Sequence, residues 1–152
     1  GMPYLGEGAP CFIASDSGEY VVVALARAEI GIDLEVLRTL ARRDRLAQRI
    51  CTDRELADFT SLPEDQKDRA MLRLWTCKEA GLKAVGIGLT GGVRNVETEL
   101  DSHGQLRLRH LLGQRESWTL IPIDVHETMI CTAIIQGDGW ALIQHQARDI
   151  FE

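Results

Sequence analysis

From about Glu64 to Val85 the sequence keeps a helical period, opened by Pro63 in the first turn and closed by Gly86 and Gly88. A helix of that length must have its apolar arc covered, and the period puts Met71, Leu74, Trp75, Leu82 and Val85 on that arc. Glu79 and Lys83 fall one turn apart along its border. Upstream, Ile32, Leu34 and Val36 alternate with Asp33 and Glu35. As a strand, this segment buries one face and aims two carboxylates off the other.

The remaining segments predict an α+β fold, an antiparallel sheet packed against the long helix, with residues 1–152 as one domain. Cys11 to Ser17 and Gly18 read as a turn feeding a buried strand, Tyr20 to Leu25, because β-branched residues suit a pleated surface. After a short turn around Arg27 to Glu29, the Asp33 strand is expected to return along it as a hairpin. A helix follows from about Thr39 to Ile50, with Leu40, Leu46 and Ile50 inward. Thr52-Asp53-Arg54-Glu55 has the form of a capping box, and Ser61-Leu62-Pro63 interrupts the helix it starts. Beyond Gly88, strands are expected near Val93 to Leu100, Gln105 to Leu111, Trp118 to Val125 and Met129 to Gln136. The tail from Trp140 to Glu152 fits either a strand or a short helix.

Several classes are disfavoured at this point. No apolar run approaches the ~18 residues that span a bilayer, so no membrane segment is expected. A net charge of −6 speaks against a nucleic-acid surface, which ordinarily carries a basic excess. Gly1 before Met2 reads as an expression scar with no signal segment after it, which makes the cytoplasm the expected location. Arg38, Arg42, Arg43, Arg45 and Arg49 form a basic run on this acidic chain, either a solvated helix face or a patch that steers an acidic partner. Cys11, Cys51, Cys77 and Cys131 lack paired spacing and are expected to be reduced and mostly packed inside. His103, His110, His126 and His145 lack ligand spacing and suit turns or solvent.

Asp33, Glu35 and Glu79 supply the oxygen ligands a hard divalent cation such as Mg²⁺ accepts, and Lys78 and Lys83 stand ready for a pyrophosphate. Separately, the acids have bland explanations, a solvated strand face and an i,i+4 ion pair. Together, Gly31-Ile32-Asp33-Leu34-Glu35 and Trp75-Thr76-Cys77-Lys78-Glu79-Ala80-Gly81-Leu82-Lys83 resemble the paired signature of the 4'-phosphopantetheinyl transferases. That signature is a Gly-Ile-Asp-x-Glu strand followed by a Trp-Ser/Thr-x-Lys-Glu-Ala/Ser-x-x-Lys helix. The match resembles the second half of two-lobed members, from about Pro3 to about Gln136, and is also similar to the single-lobed holo-acyl-carrier-protein synthases. It implies Mg²⁺-dependent transfer of phosphopantetheine from coenzyme A to a serine of an apo acyl or peptidyl carrier protein, for fatty acid, polyketide or nonribosomal peptide synthesis. The resemblance further implies metal ligands Asp33, Glu35 and Glu79, phosphate contacts from Lys83 and Lys78, and Glu55 near the reacting centre as a base.

The chain departs from the family where two-lobed members read Phe-Asn-x-Ser-His-Ser: here Phe12-Ile13-Ala14-Ser15-Asp16-Ser17 puts Asp16 in place of the histidine that contacts a coenzyme A phosphate. Ser15 and Ser17 keep hydrogen-bond donors there, whereas the Asp16 carboxylate repels a phosphate. The leading lobe of two-lobed members has no counterpart, which predicts a homodimer or homotrimer with the metal site near an interface. A degenerate member that binds metal or carrier without chemistry is the alternative. A metal-dependent nuclease fits worse, because its acid and lysine usually stand two apart on a strand.

Overall fold

The computed structural model describes residues 9–86, 92–111 and 113–147. Gly1, Met2, Pro3, Gly88 and the last residues of the tail lie outside them. Strands β1 (Cys11–Ser17) and β2 (Tyr20–Ala26) form an antiparallel hairpin closed by Gly18-Glu19, with Gly18 at φ +60°, where a glycine carries no steric cost. The expected pairing of the Asp33 strand with β2 is therefore corrected. β3 (Ile30–Val36) pairs instead with the last strand, β7 (Met129–Gln136), which also pairs with β6 (Trp118–Ile123), giving the order β3-β7-β6. Pro122 sits in β6, an edge strand, where a missing N–H is tolerated. Nor is β2 a buried strand: Val22, Ala24 and Ala26 pack inward while Val21, Val23 and Leu25 face outward.

Helix α1 (Arg43–Ile50) starts later than Thr39, since the Leu40 amide bonds the Asp68 carboxylate rather than entering a helix. After it, α2 (Asp53–Thr60) opens with the predicted capping box. One 3₁₀ turn, Glu64–Gln66, precedes α3 (Lys67–Val85), and Gly86 at φ +66° ends it. Another 3₁₀ turn, Gly92–Asn95, takes the place of the first residues of the strand expected near Val93. β4 (Val96–Leu100) and β5 (Leu106–Leu111) then form the third sheet. Residues 137–146 carry no helix or strand, and the end of the tail, where a strand or a short helix is the expectation, lies outside the described residues.

The long helix lies on β3 and β7, while Met71, Leu74 and Trp75 of the expected arc pack with Ile50, Phe59 and Leu62, and Leu82 and Val85 pack with Val96 and Leu111. Gly31 sets the spacing: a Cβ there would stand 1.8 Å from the Ala80 carbonyl oxygen, so only glycine lets β3 lie against the α3 backbone. Gly81 similarly admits Val96 and Ile134. Ile32 and Leu34 pack with Met129, Cys131, Ala133 and Ile135, which leaves Asp33 and Glu35 on the other face. Among the described residues no helix is long and apolar enough to cross a membrane.

Candidate active site on the open edge of β3

β7 pairs with one edge of β3 and, among the described residues, no strand pairs by its backbone with the other, so the outward backbone groups of Ile32, Leu34 and Val36 need partners. Side chains supply them. Ser15 Oγ accepts from the Leu34 amide at 3.2 Å, and Ser17 Oγ accepts from the Val36 amide at 3.1 Å. Lys83 Nζ donates to the Ile32 carbonyl at 3.0 Å, and Arg38 donates to the Val36 carbonyl at 3.0 Å. Four side chains from three segments thus gather along the strand that carries Asp33 and Glu35.

Asp33 is the centre of this edge. Its Oδ1 accepts from Lys83 Nζ at 3.1 Å and from Ser15 Oγ at 3.3 Å, while Oδ2 is buried with no hydrogen-bond partner. Burial holds the Asp33 carboxyl above its ordinary range, against the pull of Lys83. Glu79 is also raised, first by burial and then by the charge of Asp33, with Lys83 opposing and Glu35 adding. Three carboxylates of β3 and α3 are therefore close enough to feel one another. Lys83 turns to Asp33 and the Ile32 carbonyl, which corrects the simple Glu79–Lys83 ion pair.

The expectation of a ready triad also needs correction: among the described residues, no three His, Cys, Asp or Glu side chains stand close enough to hold a metal ion. Glu35 is drawn aside by Arg38 at 2.9 Å, and Lys83 already neutralises part of Asp33. In their chemistry the donors fit a hard cation: all are oxygens, one is a buried oxygen lacking a partner, and their charges repel.

Two other expected site residues lie elsewhere. Glu55 and Lys78 are 0% exposed and pair at 2.9 Å in the interior. Glu55 Oε1 accepts from the Thr52 amide at 2.8 Å, and Oε2 accepts from the Thr98 amide at 3.0 Å and from the Thr98 hydroxyl. Lys78 Nζ donates to Glu55, to the Val96 carbonyl at 2.7 Å and to the Val93 carbonyl at 3.2 Å. Neither group presents an exposed atom, so a base role for Glu55 and a phosphate role for Lys78 find no support in this arrangement. Asp16 is exposed and alternates to the side of β1 away from Ser15 and Ser17, off the Asp33 edge.

The basic run is also divided. Arg43 turns to Asp68 and Glu64, and Arg38 to Glu35. Arg42, Arg45, Arg49 and Arg94 line a concavity of about 830 Å³, where Arg94 donates to the Gln48 and Arg49 carbonyls at the end of α1. Burial pushes the thiols of Cys51, Cys77 and Cys131 up to about 12, so none is a nucleophile near neutral pH. The four histidines are exposed, as expected.

Sequence reasoning named Ser17 only as a donor beside Ser15 and Arg38 only as part of the basic run, and it missed Thr132. Thr132 stands opposite Asp33 on β7 and shares a 3.0 Å hydrogen bond with Thr76 of α3, tying the helix to the sheet beneath the site. Ser15 and Ser17, two apart on a strand, carried the one readable signal, two hydroxyls on one face.

The family model for the 4'-phosphopantetheinyl transferase superfamily matches residues 29–134, which run from the start of β3 to near the end of β7. This chain belongs to that superfamily. It is 32% identical over 145 residues to the 4'-phosphopantetheinyl transferase HetI of Nostoc sp., covering 92% of this chain and 59% of HetI. Over 98 residues it is 33% identical to the 4'-phosphopantetheinyl transferase psf-1 of Bacillus pumilus, covering 64% of this chain and 41% of that protein. The crystal structure of Thermotoga maritima holo-[acyl-carrier-protein] synthase aligns with a TM-score of 0.54 at 23% identity, covering 72% of this chain and 62% of that one, and so supports the α+β fold. The chain thus spans only about 59% of HetI and 41% of psf-1.

Proposed function

We propose that this phosphopantetheinyl transferase superfamily member transfers the 4'-phosphopantetheine group from coenzyme A to a serine of an apo acyl or peptidyl carrier protein, with Mg²⁺ at the β3 edge. The buried Asp33 oxygen that lacks a partner, beside Glu79 and Lys83, carries this reading. Bound by Asp33, Glu35 and Glu79, the metal would supply Lewis-acid charge at the pyrophosphate. Lys83, anchored by the Ile32 carbonyl, holds a positive charge at the same place for the phosphate that departs. Ser15 keeps Asp33 and the β3 backbone in register. In the overall exchange, the serine oxygen bonds to the phosphopantetheine phosphorus, the pyrophosphate P–O bond to the adenosine bisphosphate breaks, and the serine proton passes to water as that group leaves.

The acidic carrier docks at the arginines of α1 with Arg94, which screened charge would weaken. The working assembly is a homodimer or homotrimer, its contact the outer face of β1 and β2, where Val21, Val23 and Leu25 are 67%, 62% and 66% exposed. A single mass from light scattering that equals one chain, unchanged in Val23→Lys, would remove the oligomer. Its compartment is the cytoplasm, in keeping with four free thiols.

The test is to incubate the chain with coenzyme A, Mg²⁺ and an apo carrier, and then weigh the carrier. A gain of one phosphopantetheine that vanishes in Asp33→Ala and Glu79→Ala is expected. No gain across acyl and peptidyl carriers overturns the activity, and carrier retention without mass gain marks the non-catalytic alternative.

A further inference from the structure

We propose that Glu55 and Lys78 are a positioning pair for Glu79, and that neither meets substrate nor moves a proton. The inference rests on the transferase reading above, in which Glu79 is a metal ligand. Lys78 and Glu79 are consecutive on α3, so their side chains leave the helix roughly 100° apart. Whatever fixes the helix backbone at Lys78 fixes the direction in which the Glu79 side chain leaves it.

Lys78 is fixed completely. Its three ammonium donors match three acceptors, Glu55 Oε1 and the carbonyls of Val93 and Val96, so the inventory is full and no donor is left for a phosphate. Glu55 is fixed in turn by the α2 capping box on one oxygen and by both donors of Thr98 on the other. The pair therefore bolts α3 to the start of α2 and to β4 at the residue directly before Glu79. On the opposite side, the Gly31 contact with Ala80 stops the helix from sliding toward the sheet. A carboxylate that accepts from three protein groups besides the lysine, with no exposed atom, has no path for a serine proton.

The test compares wild type with Glu55→Gln/Lys78→Met, which removes both charges together. Two quantities are read: Mn²⁺ affinity by electron paramagnetic resonance, and carrier turnover against pH. Positioning predicts a loss of Mn²⁺ affinity of about tenfold to a hundredfold, the range for groups that orient metal ligands. Turnover should fall in parallel, be partly restored by excess Mg²⁺, and keep the acid limb of its pH profile. Should the double variant not fold, Thr98→Val removes one donor from Glu55 and predicts the same pattern at a few-fold amplitude.

Loss of the acid limb, with turnover down by about 10²–10⁴ and Mn²⁺ affinity intact, makes Glu55 the base and overturns the proposal. A lowered melting temperature with both affinity and turnover unchanged reduces the pair to bulk stability and overturns it equally. Wild type that binds no Mn²⁺ overturns it as well. Wild type that modifies no carrier, while the variant still weakens Mn²⁺ binding, sinks only the transferase reading and supports the positioning role.

Discussion

Helix α3 sends one lysine to a carboxylate inside the molecule and another to a carboxylate at its edge. Inside, Lys78 and Glu55 are saturated: each polar atom has a protein partner and none is exposed. At the edge, Lys83 and Asp33 meet at a similar distance, 3.1 Å, yet Asp33 keeps a buried oxygen unpartnered and its carboxyl is raised by burial. The same chemical pair thus does two jobs. A completed pair holds elements together, and an incomplete one retains capacity for a ligand.

Breaking the saturated pair has the largest expected effect on stability. Lys78→Met leaves the Glu55 carboxylate buried and without its cation, and should lower the unfolding free energy by about 3–5 kcal/mol. Lys83→Met, at a site about one-third exposed, should cost no more than ~1 kcal/mol while abolishing carrier modification. Paired urea titrations measure both, and equal losses would erase the distinction.

Next in size is Gly31→Ala, whose methyl would collide with the Ala80 backbone. Overpacking at this contact should cost about 1–3 kcal/mol or more, read from the same titrations. Ser15→Ala comes third: it strips the Leu34 amide and Asp33 of a partner and should cost about 1 kcal/mol, with slower turnover. If Ser15→Ala destabilises as much as Lys78→Met, the edge is as structural as the interior.

The smallest effect concerns pH. Asp101, in the turn between β4 and β5, is held below its ordinary value of 3.8 by the amides of Gln105 and His103. A lowered folded-state value means the contribution is full above the unfolded value and is lost as pH falls through the folded one. Amide exchange at His103 and Gln105 should therefore accelerate below about pH 3.8, and Asp101→Asn should flatten that dependence.

Much of this was legible in the sequence, for local reasons. The α3 segment announced itself by period and by Pro63 and Gly86, and the capping box fixed the start of α2. Strand partners were not legible, because pairing depends on distant segments: β3 joins β7, a hundred residues later in the chain, rather than its sequence neighbour. The local signal for the true hairpin was Gly18, which with Glu19 closes β1 onto β2. At the site, alternation put Asp33 and Glu35 on one face, and the family motif singled out Glu79 and Lys83. The opposite fates of Lys78 and Lys83 were hidden, since helical position gives a direction but not what waits there. Val93, Val96 and Thr98 decide that, and they arrive from β4 and the turn before it.

The most direct test of the distinction is where a metal goes. Crystals of the chain grown with Mn²⁺ should show an anomalous-scattering peak among the oxygens of Asp33, Glu35 and Glu79, with Arg38 released from Glu35 and the Glu55–Lys78 pair unchanged. A peak elsewhere, or none while Asp33 keeps its unpartnered oxygen, would contradict the account.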